Sequence, residues 1–216
     1  LLADYITEQK TIAPEITSTW KIVNTTPDAF YFSVLSTTDM HGRSTVKDVS
    51  SQQAVTNSME RVATAVAAER KIYGENNTIV IDNGDTIQGT LVAQYAITHK
   101  ADKENPMITA MKAIGYDVWG MGNHEFNYTP QQRDTQTLLA DEAGIAVLSA
   151  NLTLLKDGKN FRGVDTKAGE SYYDPYVIKT LDAGNGRTVR VAIIGFGNAA
   201  NATWDLATNY PNLQFS

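Results

Sequence analysis

Four short apolar runs, separated by helix-like stretches, restrict this chain more than any other feature. Phe30-Tyr31-Phe32-Ser33-Val34-Leu35-Ser36 is rich in aromatic and branched residues and reads as a strand. Thr78–Ile81, Asp117–Met121 and Ile145–Ala150 read the same way. Between the first two, Gln52–Tyr73 has apolar residues at Val55, Met59, Val62, Ala63, Val66 and Ala67, close to helical spacing, and stops at Gly74. Leu91–Thr98, Asn105–Ile114 with Pro106 near its first turn, and Pro130–Ala143 ahead of Gly144 complete the helical set. This order predicts an α/β fold with a layered, largely parallel sheet flanked by helices. The polar residues 156–169 read as a surface loop or hairpin. Tyr176–Leu181 and Val189–Ile194 read as two further strands around a turn at Gly184-Asn185-Gly186. Residues 1–28, punctuated by Pro14 and Pro27, read as an N-terminal extension with a short helix near Ala3–Lys10.

Open α/β sheets bind ligands beyond the carboxyl ends of their strands, and this chain puts its most unusual polar residues there. After the first strand comes Thr37-Thr38-Asp39-Met40-His41-Gly42-Arg43. Alternate residues of an extended segment point the same way, so Asp39 and His41 are expected to face one ion together. Gly42 lets the backbone turn sharply behind them. After the second strand comes Asp82-Asn83-Gly84-Asp85-Thr86-Ile87-Gln88-Gly89, in which the Asp85 carboxylate suits a position between two cations. After the third comes Gly122-Asn123-His124-Glu125-Phe126-Asn127. Asn123 offers an amide oxygen to a cation, and His124 a proton donor beside it. Each block alone has a plainer reading: a surface pair, a turn, or a helix cap made by Asn123. All three in order, on strand ends of one sheet, favour a metal site.

Composition removes several classes. The chain has 216 residues and no cysteine, which excludes disulfides, thiolate metal sites and cysteine nucleophiles. Its net charge of -6 and the lack of a basic run argue against a grip on duplex nucleic acid. No apolar run approaches the roughly 20 residues that cross a bilayer.

Asp39-x-His41, Gly84-Asp85 and Gly122-Asn123-His124-Glu125 resemble the first three signature blocks of the calcineurin-like metallophosphoesterases. Asp85–Gly89 and Gly122–Tyr128 are similar to those of exported bacterial nucleotidases, and Asn127-Tyr128 favours the 2',3'-cyclic-nucleotide 2'-phosphodiesterase/3'-nucleotidase branch. The Asn151 that follows Ala150 fits the same enzymes. The resemblance implies that residues 29–216 are the N-terminal part of a catalytic domain, incomplete at its C-terminus. It implies two divalent ions (Mn, Zn, Fe, Co or Ca), with Asp39 and His41 on one, Asn123 on the other and Asp85 bridging both. His124 then acts on the leaving oxygen or the transition state. Asn127 hydrogen-bonds His124 without the charge that an Asp would bring, and Asp82 and Asn83 orient the ligands from behind. The substrate implied is a nucleotide or cyclic nucleotide, and the location extracytoplasmic.

His41, His99 and His124 are the only histidines, and His99 reads as a surface residue. The later histidine ligands of the family and its nucleoside-binding C-terminal domain are therefore expected beyond Ser216. The absence of an initial Met implies a removed N-terminus. A stretch with a partial ligand set is expected to hold metal weakly and to turn over little. The alternatives are a 5'-nucleotidase or another superfamily member, and a non-catalytic surface module. Gly195-Phe196-Gly197-Asn198-Ala199-Ala200 also matches a dinucleotide-binding Gly-x-Gly-x-x-Ala, without the helix that this motif requires.

Overall fold

The computed structural model describes residues 29–48, 50–99 and 104–215. The expected extension and the helix near Ala3–Lys10 lie outside them. Four parallel strands form the main sheet: β1 (Ser33–Thr37), β2 (Thr78–Asp82), β3 (Val118–Gly120) and β4 (Ala146–Leu148). Their order in space is their order in the chain. Four helices make the crossovers, namely α1 (Met59–Tyr73), α2 (Leu91–His99), α3 (Pro106–Ile114) and α4 (Pro130–Glu142). Thr37 pairs with Asp82, and Asp82 with Trp119, so the carboxyl ends of β1, β2 and β3 sit side by side. That register brings the three polar blocks to one edge of the sheet.

The central strands are buried on both faces. Ile79, Val80, Val118, Trp119, Val147 and Leu148 are each at most 4% exposed. Met59 and Val66 of α1 and Met107 and Met111 of α3 join the same core. Local signals set the helix ends. Asn105 caps α3 by accepting from the Met107 N–H at 2.9 Å, with Pro106 in the first turn. Gly115 ends α3 in the left-handed region, and the Arg70 guanidinium of α1 donates to its carbonyl. Thr129 and Gln132 form a capping box at the start of α4.

The helix expected from Gln52 begins seven residues later, at Met59. Residues 46–48 pair with residues 53–55 instead. The Val55 N–H donates to the Val46 carbonyl, the Asp48 N–H to the Gln53 carbonyl, and Gln52 has a φ of 59°. Val55 therefore serves this turn rather than a helical face. The 156–169 stretch holds a small hairpin of β6 (Gly158–Lys159) and β7 (Asp165–Thr166). The later hairpin is β8 (Tyr176–Gly184) and β9 (Arg187–Ile194). Its turn residues Asn185 and Gly186 both have positive φ, the condition for a tight hairpin with matched twist. Sequence reading missed β5 (Leu152–Leu154) and its antiparallel partner β10 (Leu213–Phe215).

The dinucleotide alternative fails on geometry. The helix after Gly195–Ala200, α5 (Asn201–Trp204), has four residues. Gly195 is there for packing: a Cβ on it would lie 2.4 Å from the Leu148 Cβ. Gly197 exchanges two backbone bonds with the Asn151 amide, each of 2.8 Å. Among the described residues no helix is long and apolar enough to cross a membrane.

Arg133 of α4 anchors the end of the described chain to this core. It is 1% exposed and donates to the Tyr173 hydroxyl and the Asn209 carbonyl. Its guanidinium also lies over the Phe126 ring, 5.0 Å from the centroid. Arg133→Met should lower the unfolding free energy by about 3 kcal/mol, because it orphans buried acceptors. A urea denaturation curve with an unchanged midpoint would contradict this.

Candidate metal centre

Three loops leave the sheet edge and are sewn together largely through their backbones. The Asp39 N–H donates to the Gly84 carbonyl at 3.1 Å, and the His41 N–H to the Asp85 carbonyl at 2.9 Å. The His124 N–H donates to Asp85 Oδ1 at 2.8 Å. Asp85 thus contacts both other blocks. Glycines permit the approach: a Cβ on Gly84 would lie 2.2 Å from the Gly122 nitrogen, and one on Gly122 would lie 2.4 Å from Asp85 Oδ1.

Asp39, His41 and Asp85 have φ values of 55°, 48° and 57°. The expectation of an extended Asp39–His41 segment is corrected: both residues lie in the left-handed region, and the loop curls. Asp and His enter that region more readily than most residues, yet each such residue still costs about 1–3 kcal/mol. Three strained residues in one small site point to a functional demand.

His41 and Asp85 meet with His124 even so, while Asp39 lies beside His41 outside that group. Ligand-type atoms of His41, Asp85 and His124 all lie within 4.8 Å of one another. Asp39 Oδ1 is 3.7 Å from His41 Nε2. The His41 and His124 rings meet edge to face, with centroids 5.2 Å apart. Asn123 immediately precedes His124, and its side chain does not cap the short turn His124–Asn127. The cap reading of Asn123 therefore fails. Asn83 turns away and donates to Ser36 Oγ at 2.9 Å. His99 is exposed and stacks on Tyr95.

Two buried carboxylates support this edge. Asp82 is 1% exposed and accepts from Thr37 Oγ1, Thr86 Oγ1 and the Gly84 N–H. Burial holds its carboxyl above the usual range, and the charge of Asp85 adds to the rise. Glu125 is fully buried and accepts from the backbone N–H groups of Gly122, Asp85, Thr86 and Ile87. Burial pushes its carboxyl up to about 7; the Asp85 and Asp82 charges push the same way, while the Thr86 and Asp85 N–H bonds pull back. The charge of Asp85 thus reaches both buried carboxylates and makes the ionised form of each costlier.

His124 Nδ1 lies 2.6 Å from Asn127 Oδ1, and Asn127 Nδ2 donates to Asp205 Oδ1 at 2.6 Å. Sequence reading missed Glu125 and Asp205. Glu125 read only as part of the third block, and Asp205 stands 78 residues from its partner.

Over 186 residues the chain is 34% identical to the trifunctional nucleotide phosphoesterase protein YfkN of Bacillus subtilis, covering 81% of this chain and 12% of that protein. It is 31% identical to a 2',3'-cyclic-nucleotide 2'-phosphodiesterase/3'-nucleotidase of Yersinia enterocolitica, covering 81% of this chain and 25% of that one. The crystal structure of the calcineurin-like phosphoesterase YfkN from Bacillus subtilis matches with a TM-score of 0.69 and 31% identity, over 86% of this chain and 54% of the other. The chain belongs to the calcineurin-like phosphoesterases. No protein-family model matches it. It spans only 12% and 25% of these two curated relatives.

Calcineurin-like phosphoesterases use divalent metals, and the residues of this one fit such ions. The donors are oxygen and imidazole nitrogen, suited to hard and borderline cations. Glu125→Ala should lower stability by about 1.5–3 kcal/mol, since it leaves buried backbone N–H groups at the loop junction without their acceptor. The check is thermal unfolding near neutral pH. An unchanged melting temperature would remove Glu125 from its supporting role.

Proposed function

We propose that this calcineurin-like phosphoesterase contributes to a two-metal centre that hydrolyses nucleotide phosphoesters. The observation that carries the reading is the convergence of His41, Asp85 and His124 within 4.8 Å at the carboxyl edge of a parallel sheet. Asp39 and His41 would hold one ion, Asn123 the other, and Asp85 both. Two divalent ions held there would supply Lewis-acid charge to phosphoryl oxygens and to a water. The oxygen and imidazole donors suit Mn, Zn, Fe, Co or Ca. Residues 29–216 form the N-terminal part of the catalytic domain in this reading, and residues 1–28 an extension.

The chain's own residues do the rest. Asp85 accepts the His124 N–H, which fixes the third block against the second. His124 Nδ1 is engaged by Asn127, which leaves Nε2 as the nitrogen that moves a proton at the leaving oxygen. Asp82 and Glu125 hold the loop backbones rather than the ions. The likeness to a cyclic-nucleotide phosphodiesterase, together with Asn127-Tyr128, favours 2',3'-cyclic and 3'-nucleotides over 5'-nucleotides. It also favours an extracytoplasmic location, which fractionation of the source cells checks.

Titration with Mn2+ in a calorimeter should show binding that Asp85→Asn abolishes. Asn tolerates the left-handed backbone at 85, so the variant should still fold. Equal binding by both proteins would remove Asp85 from the centre. The natural full-length protein should release phosphate from 2',3'-cyclic AMP and 3'-AMP only with divalent metal. His124→Ala should reduce kcat by about 10²–10⁴-fold. Hydrolysis that survives complete chelation would overturn the metal mechanism.

A further inference from the structure

We infer that Asp205 is a positioning residue for His124, acting through the Asn127 side chain. The inference rests on the reading of His124 as the group that acts on the leaving oxygen. The contacts form one line: His124 Nδ1 to Asn127 Oδ1 at 2.6 Å, then Asn127 Nδ2 to Asp205 Oδ1 at 2.6 Å.

The chemistry of the three groups assigns every proton on that line. A carboxylate only accepts, so Asp205 requires the Asn127 NH2 to face it. The Asn127 carbonyl oxygen then faces His124, and a carbonyl only accepts. Nδ1 must therefore carry the hydrogen; in the neutral ring Nε2 keeps its lone pair, and it gives a proton to the leaving oxygen only from the imidazolium, in which both nitrogens carry hydrogen. Asn127 alone cannot do this. Its amide is nearly symmetric in shape, and either end could meet the ring. A hydrogen bond to a charged acceptor is worth enough to bias the flip by at least about tenfold. An acid one amide removed thus supplies the orientation that Asn127, being uncharged, lacks.

Asp205 is itself held in place. Asn209 Nδ2 donates to the Phe126 carbonyl at 2.9 Å, and Arg133 donates to the Asn209 carbonyl. The Phe215 ring meets Phe126 edge to face at 5.1 Å. The Tyr210 hydroxyl donates to the Ala202 carbonyl at 2.8 Å and reaches the Asp205 carbonyl at 3.3 Å. The segment around Asp205 is thus fastened to the very turn that carries His124. Its second carboxylate oxygen, Oδ2, is buried with no hydrogen-bond partner among the described residues, so Asn127 is the side chain that this carboxylate serves.

The test is the tautomer of His124, read from long-range 1H–15N spectra of the labelled chain, recorded where the spectra themselves show an uncharged ring. Three histidines keep the assignment simple. The wild type should show His124 protonated on Nδ1. Asp205→Ala and Asp205→Asn should each lose that preference while the backbone amide spectrum stays folded. Adding Asn127→Asp to Asp205→Ala should restore it, because a carboxylate at 127 accepts from Nδ1 directly; a merely structural role for Asp205 would not be rescued this way. A wild-type ring protonated on Nε2, or a tautomer unmoved in both Asp205 variants, would overturn the inference. In the full-length enzyme, Asp205→Asn should lower kcat and leave KM unchanged. If His124→Ala leaves kcat intact, the catalytic reading of His124 fails, while the tautomer result still decides the role of Asp205.

Discussion

The buried carboxylate of Glu125 ties the second and third loops into one body. It takes N–H bonds from Gly122 in its own loop and from Asp85, Thr86 and Ile87 in the neighbouring one. Backbone donors that leave a strand end need acceptors, and a buried loop without them is costly. Glu125 meets that need while lying beneath the side chains that face outward. The first loop joins through the bonds of Asp39 and His41 to the Gly84 and Asp85 carbonyls. Asp85 then places its own carboxylate where the His124 N–H can reach it.

That junction explains both the glycines and the strain. Gly84 and Gly122 sit where the two loops touch, and a methyl group on either would collide with the opposite backbone. Asp39, His41 and Asp85 all take positive φ values, and the His41 and Asp85 side chains reach a common point with His124. The cost of those conformations and of three neighbouring carboxylates is one that a bound cation would offset. Packing at the edge, loop geometry and the chemistry of the site are in this sense a single arrangement.

The parts of this arrangement differ in how legible they were. Strand–helix alternation and the three polar blocks were readable because residue identity carries their meaning: an Asp-x-His or a Gly-Asn-His-Glu states its donors outright. The conformation of the first block was not readable, since nothing in Asp39-Met40-His41 announces a left-handed curl; only the bonds to Gly84 and Asp85 impose it. The helix expected from Gln52 failed because Val55 fits the period yet pairs with Val46. Asp205 and the β5–β10 pair depend on contacts across many tens of residues, which periodicity does not carry. The role of Glu125 was not readable because its partners are backbone N–H groups of the neighbouring loop, which residue identity does not announce.

The claim at the centre of this account is that side chains from three strand ends jointly ligate divalent ions. Anomalous diffraction from crystals of the chain soaked in Mn2+ tests it most directly. The account predicts a peak at coordination distance, about 2.0–2.3 Å for donors of this kind, from His41 and the Asp85 carboxylate. A well-ordered structure with its manganese peaks elsewhere, and none over Asp85, would contradict it.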